Sequence, residues 1–323
     1  MLAVYAARQD RDNPLAGLVV GDQPAPQPRP GWSVVTLRTA GLNHHDVWSL
    51  KGVGLSADKL PMILGCDGAG VDEQGREVIV HSVVASQGWA GDETLDPGRT
   101  LLSELHPGTL AEQVAVPTHN LVPKPDGMPW ETAACLSTAW LTAYRMLFVN
   151  GGMTPGATVL VQGAGGGVAT ALIQLGAAAG YRVWVTSRDE AKGARACEIG
   201  ADRAFGSGER LPERVDAVME TVGAATWSHS VNSLKPGGAI VISGATSGDA
   251  PAKAELTKIF FKQLRVIGST MGTRVELERL AQFVQQRGIV PVIDSVMPLE
   301  QARDGFEHMV SGDLFGKVIL TVS

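Results

Sequence analysis

The chain has 323 residues, 44% of them hydrophobic and 19% charged, which is enough material for two domains with ample apolar core. A formal net charge of −6 with no basic stripe argues against a nucleic-acid partner. Cys66, Cys135 and Cys197 lie far apart with no CxxC pair, which excludes a disulfide framework or a thiolate zinc cluster and suits a reducing compartment.

The opening "MLAVYAARQDRDNP" has no basic start, long apolar stretch or cleavage site, and no apolar run approaches the roughly 18 residues of a membrane helix. The expectation is a soluble, cytoplasmic protein. Up to about residue 125 the chain reads as short strands and turns: "GWSVVTLRTAG" alternates, "REVIVHSVV" is strand-like, and "DQPAPQPRPG" is a turn cluster. "SQGWAGDETLDPGRTLLSELHPG" is a long polar loop of the kind that often carries function.

The period then changes. "PWETAACLSTAWLTAYRMLFVNGG" has helical spacing and a glycine stop. "ATVLVQG", "YRVWVTS", "VDAVMETVG", "GGAIVISGA" and "LRVIGSTMG" read as strands, with helical segments such as "GVATALIQLGAAAG" and "RDEAKGARACEIGA" between them. Such alternation predicts an α/β domain, a parallel sheet wound on both faces. A helix at "VELERLAQFVQQRG", the strand "VIDSVMPL", another helix and the strand "GKVILTV" complete the chain. The expected boundaries are 1–125, 126–272 and 273–323, the last segment returning to the first domain.

"TVLVQG" runs into "GAGGGVA" and a helix, with a second strand following. Gly163 and Gly166 permit a tight turn, Gly167 and Val168 open the helix, and Ala169 is small enough for helix–sheet packing. This order predicts a dinucleotide with its pyrophosphate on the helix N-terminus. At the end of the second strand, where a carboxylate would hold an NAD ribose, the chain has "VTSRDEAK". Ser187 leaves room for a 2′-phosphate and Arg188 and Lys192 can neutralise it, so NADPH is expected. Asp189 and Glu190 oppose this unless they serve the first turn of the helix.

"GLNHHDVW", "LPMILGCDGAG", "GTLAEQVAVP", "ACLSTAWLTAYRML", "VLVQGAGGGVATALIQL", "METVG", "LKPGGAIVISGATSG" and "GKVIL" together resemble the medium-chain dehydrogenase/reductase superfamily over essentially the full length. The resemblance implies a GroES-like β-rich catalytic domain interrupted by a Rossmann cofactor domain. Zinc-dependent members carry ligands where this chain has Asn43, Cys66 and Thr138, and their structural zinc lobe corresponds to the cysteine-free loop 86–108. The quinone oxidoreductase branch is more similar: it lacks zinc, has asparagine at the position of Asn43, and prefers NADPH.

That resemblance implies hydride transfer to an enone, enal or quinone by a homodimer acting on a small molecule. Asn43 and His45 are the expected catalytic residues, as oxyanion donor and proton donor, with Asp46 structural. His44 and Lys317 are expected on the cofactor pyrophosphate. Thr142, Thr221, Val222, Ser243, Gly244 and Ala245 fall where relatives line the nicotinamide and ribose, and Ser269, Thr270 and Met271 are expected on the last Rossmann strand. Trp48, Leu55, Trp140 and Phe261 are candidates for an apolar substrate wall. Two alternatives stand beside this reading: a zinc alcohol dehydrogenase using His45, Asp46, Cys66 and Asp67, and a non-catalytic, crystallin-like NADPH-binding protein.

Overall fold

The change of period in the sequence becomes a change of architecture in a computed structural model that describes residues 1–27 and 29–323. The chain divides into one unit of Met1–Leu141 with Gly272–Ser323 and another of Thr142–Met271. The first is GroES-like and β-rich. Its spine is the strand Trp32–Gly41, which pairs antiparallel with Gln113–Pro117, Asp67–Asp72 and Lys317–Thr321. Side chains along the spine alternate inward and outward as far as Arg38. A bulge follows, and Thr39, Ala40 and Gly41 are all buried where the strand runs into the histidine segment.

The C-terminal segment completes this sheet. Ile293–Pro298 and Lys317–Thr321 pair parallel with each other, and the latter lies directly on the spine. The helix Ala302–Ser311 between them drives Phe306 into a core with Leu37, Val80, Leu110 and Leu320. This packing places 272–323 in the first unit.

The helical run after residue 129 also belongs there, at least to residue 141. The Thr39 hydroxyl donates to the carbonyl of Trp130 at 2.8 Å, and the Ser137 hydroxyl to that of Val80 at 2.6 Å. The division therefore falls at 141/142 instead of near 125. The run is not one regular helix: wide π-turns at Leu136–Trp140 and Arg145–Gly151 flank the α-turn Leu141–Tyr144, and Gly152 ends it at φ 60°.

The second unit is a six-stranded parallel sheet. Its order is 203–206, 182–187, 158–162, 215–220, 234–242, 265–268, so the winding reverses between 158–162 and 215–220. That order is the Rossmann arrangement, and its ligands bind at the carboxyl ends of the strands beside the reversal. The last strand, Arg265–Gly268, stops one residue short of Ser269. Ser269, Thr270 and Met271 therefore follow the strand instead of lying on it, and Met271 turns away at φ 46°. No helix among the described residues is long and apolar enough to cross a membrane.

Because Phe306 is fully buried where the returning helix meets the first unit, Phe306→Ala is expected to lower unfolding free energy by about 3–5 kcal/mol. Urea denaturation should show a reduced midpoint with an unchanged slope.

Candidate active site

Asn43 ends the spine strand's excursion and opens the helix His44–Leu50. Asp46, three residues on, accepts from the Asn43 amide with Oδ2 and from the Gly65 amide with Oδ1, both at 2.9 Å. Burial pushes the Asp46 carboxyl up to about 6, against the opposing pull of His45, those two amides and Lys317. Its role is to tie the helix start to the "GCDGAG" turn, as the sequence suggested.

The same turn carries Asp67, whose carboxylate is wholly buried and meets Lys317 from the C-terminal strand. Lys317 Nζ donates to Asp67 Oδ2 at 2.8 Å, to Asn43 Oδ1 at 2.7 Å and to the Leu42 carbonyl at 2.6 Å. Asn43 Nδ2 in turn donates to Asp67 Oδ2 at 2.9 Å and to the Gly41 carbonyl at 3.3 Å. Two expectations fail on this geometry. All three protons of Lys317 are used and the residue is 3% exposed, so it has none for a pyrophosphate. Both amide hydrogens of Asn43 are likewise used, leaving no donor for a substrate oxyanion.

His45 stands apart from this knot. Its Nε2 lies 3.0 Å from Glu104 Oε1, while Nδ1 lies 3.4 Å from Cys66 Sγ and 3.5 Å from Ser103 Oγ. Burial alone would lower its pKa. Contacts with Cys66 and Glu104, and the nearby Asp46, outweigh burial and hold it well above 6.5. Burial keeps Cys66 a thiol, with its pKa raised, and the thiol donates to the Leu102 carbonyl.

Glu104 and Ser103 were not singled out in the sequence. The polar loop that carries them was, but nothing in its composition says which residue reaches His45. Two backbone features accompany that contact. Ser103 sits at φ 69°, an uncommon conformation for a non-glycine residue, and a Cβ on Gly54 (φ 81°) would come within 2.7 Å of Glu104 Oε1.

His44 is exposed on the first turn. Partial burial of its ring, then the charges of Lys317 and Lys51, hold its pKa below 6.5, so it is neutral near pH 7. Of the candidate wall residues, Trp140 and Leu55 are core, whereas Trp48 and Phe261 are exposed.

The residues at the three metal positions do not make a zinc site. Asn43 is bound to an ammonium group, Cys66 donates to a carbonyl, and Thr138 offers only a buried hydroxyl. In the alternative set of His45, Asp46, Cys66 and Asp67, the two aspartates are engaged with backbone amides, Asn43 and Lys317, which leaves His45 and Cys66 as a pair. Among the described residues no group of three His, Cys, Asp or Glu side chains is placed to hold a metal.

In the other unit the candidate cofactor residues follow strand ends. Gly163 comes after Thr158–Gln162 and, at φ 91°, takes a turn that favours glycine. Gly166 precedes the helix Gly167–Ala178, and a Cβ there would meet nothing within 4 Å, so the approach to the helix N-terminus is open. Ser187 ends the second strand, with Arg188 exposed and Lys192 half-buried on the following helix. Asp189 caps that helix, accepting from the amides of Ala191 and Lys192. Thr221 and Val222 follow the fourth strand and Ser243, Gly244 and Ala245 the fifth, while Thr142 is buried at the start of the unit.

His45 is favoured in its charged form by the fold, so its contribution to stability is fully present below pH 6.5 and fades as pH rises through the raised value. In Glu104→Gln the ring should titrate at lower pH by NMR. The loss of stability on raising pH should shrink with it in urea denaturation measured as a function of pH.

Two family models match the chain: an alcohol dehydrogenase GroES-like domain over residues 29–126 and a zinc-binding dehydrogenase domain over 167–286. A crystal structure of an NAD-dependent alcohol dehydrogenase matches 100% of this chain and 100% of its own, with a TM-score of 0.92 and 35% identity. Acryloyl-coenzyme A reductase of Sulfurisphaera tokodaii is 29% identical over 91% of this chain and 94% of the relative. A zinc-type alcohol dehydrogenase-like protein, YogA, of Leptosphaeria maculans is 30% identical over 92% of each. With the Rossmann strand order, the glycine turn and the interrupted β-rich unit, these matches make the chain an oxidoreductase of the medium-chain dehydrogenase/reductase superfamily.

Proposed function

We propose that the protein is an NADPH-dependent, zinc-independent reductase that delivers hydride to an activated C=C bond, as in an enone, enal or enoyl thioester, or to a quinone. The observation that carries this reading is the buried Lys317–Asp67–Asn43 knot, which ties Asn43, one of the three metal positions, to a fixed ammonium group. Without a Lewis acid, a simple carbonyl is a poor hydride acceptor. A conjugated one is electrophilic enough at its β-carbon for hydrogen-bond donors to suffice. The similarity to an acryloyl-coenzyme A reductase supports an enoyl substrate.

His45 is the proton donor in this scheme. Its Nε2–H is held by Glu104, whereas the Nδ1–H faces the long contacts to Cys66 and Ser103 and is the easier one to give up. His44 offers a neutral N–H to the cofactor diphosphate. The 2′-phosphate is assigned to Ser187, Arg188 and Lys192, since the nearby Asp189 carboxylate is occupied in capping. The exposed Phe260 and Phe261 beside the open edge strand Arg265–Gly268 suit a homodimer paired along that edge.

A second reading, an alcohol dehydrogenase, is favoured by the 35% identical structure and by the zinc-binding family model. Metal analysis of purified protein separates the two. We expect well below one zinc per chain and full activity after chelation; stoichiometric, activity-essential zinc would establish the alcohol dehydrogenase. A nicotinamide-oxidation screen over quinones, enones, enals, enoyl thioesters and aldehydes should respond only to the conjugated acceptors. For the cofactor, the Arg188→Ala/Lys192→Ala variant should raise KM for NADPH about tenfold or more and leave KM for NADH nearly unchanged. Equal effects on both would remove the NADPH assignment.

A further inference from the structure

Three neighbouring strands of the Rossmann sheet carry buried polar residues at or next to their carboxyl ends. Gln162 is 0% exposed, Thr186 2% and Glu220 1%. Their hydrogen bonds form one directed line across the sheet. The Gly163 amide donates to Thr186 Oγ1 at 3.3 Å, and that hydroxyl donates to Gln162 Oε1 at 2.6 Å. Gln162 Nε2 donates to Ser230 Oγ at 2.9 Å, and its other hydrogen faces His229 Nδ1 at 3.0 Å. His229 Nε2 donates onward to the Glu209 carbonyl, which leaves Nδ1 free to accept.

Ser230 then donates to Glu220 Oε2 at 2.6 Å. From the other side, the amides of Val222 and Gly223 donate to Glu220 Oε1 at 2.8 and 3.0 Å, and the Thr226 hydroxyl lies 2.9 Å from both carboxylate oxygens. The line lies beneath the point where the winding reverses. It joins the glycine turn after 158–162 to the turn 221–223 after 215–220. Each hydrogen has an acceptor, so the arrangement has one low-energy state, and losing any member strands another polar group.

We propose that Glu220 is the positioning residue of the cofactor seat: held by Ser230 and Gln162, it fixes the Thr221–Gly223 backbone so that the nicotinamide half of the dinucleotide is received in register with the diphosphate on the Gly163 turn. The proposal rests on the reading of this unit as a dinucleotide seat. Glu220 touches no ligand itself; it works through the amides of Val222 and Gly223. In Glu220→Gln one carboxylate oxygen becomes an NH2 group. Ser230 Oγ then faces two donors, and its own hydrogen loses its acceptor.

The test compares the whole cofactor with its adenine half on the purified full chain, by NADPH fluorescence titration and by thermal shift with 2′,5′-ADP (NADH and 5′-ADP if the wild type prefers NADH). Glu220→Gln should weaken the dinucleotide about tenfold or more while the adenine fragment stays within about twofold of wild type. Ser230→Ala, which removes a single hydrogen bond, should shift in the same direction by less and serves if Glu220→Gln does not fold. Parallel losses for both ligands, or none for either, would overturn the positioning role. A wild type that binds neither dinucleotide would instead overturn the cofactor reading beneath it.

Discussion

The ion pair between Lys317 and Asp67 is the constraint on which the catalytic unit depends. Both groups are buried, and their attraction offsets desolvation with the help of Asn43 and two backbone carbonyls, which complete the hydrogen bonding of the ammonium group and of Asp67 Oδ2. Removing one partner from such a pair typically costs about 3–5 kcal/mol, a large share of a domain's stability. The pair also places a fixed ammonium group beside Asn43.

Around that knot the site separates into two kinds of polar group. Lys317, Asn43 and Asp46 are saturated and hold the backbone, and Asp67 is fixed through Oδ2 while its buried Oδ1 has no partner. His45 is held closely at one nitrogen, by Glu104, and at longer range at the other, by Cys66 and Ser103. In the Rossmann unit, Gln162, Thr186, Ser230 and Glu220 are saturated at the sheet's carboxyl end, whereas Arg188 is exposed on the turn that follows the second strand.

Much of this was legible in the sequence. The strand–turn–helix order at residues 158–178 and the period change after residue 125 both carried into the fold, because apolar spacing is a direct record of which face is buried. That Asn43, Cys66 and Thr138 stand where zinc-dependent members carry ligands is a reading of the sequence alone. What could not be read was commitment. Asn43 and Lys317 have the right chemistry to touch ligands, and only their three-dimensional partners show that their donors are used. Glu104 was hidden for the converse reason: it lies in an irregular loop 59 residues from His45, and no periodicity relates them. The domain boundary moved because Thr39 and Ser137 bind the start of the helical run by side-chain contacts that hydropathy does not register.

The position of Lys317 has a consequence for how the molecule is made. Asp67 is synthesised early, but its counter-charge follows only after the whole of Thr142–Met271 has been translated. During synthesis the N-terminal strands therefore carry an acidic group that cannot be sequestered, and the spine strand lacks its neighbour 317–321. The inserted Rossmann unit, contiguous in the chain and rich in nearest-neighbour βαβ contacts, has all its own strands in hand before then. The chain thus supplies every strand of the Rossmann unit before the lysine that closes the interior of the other unit.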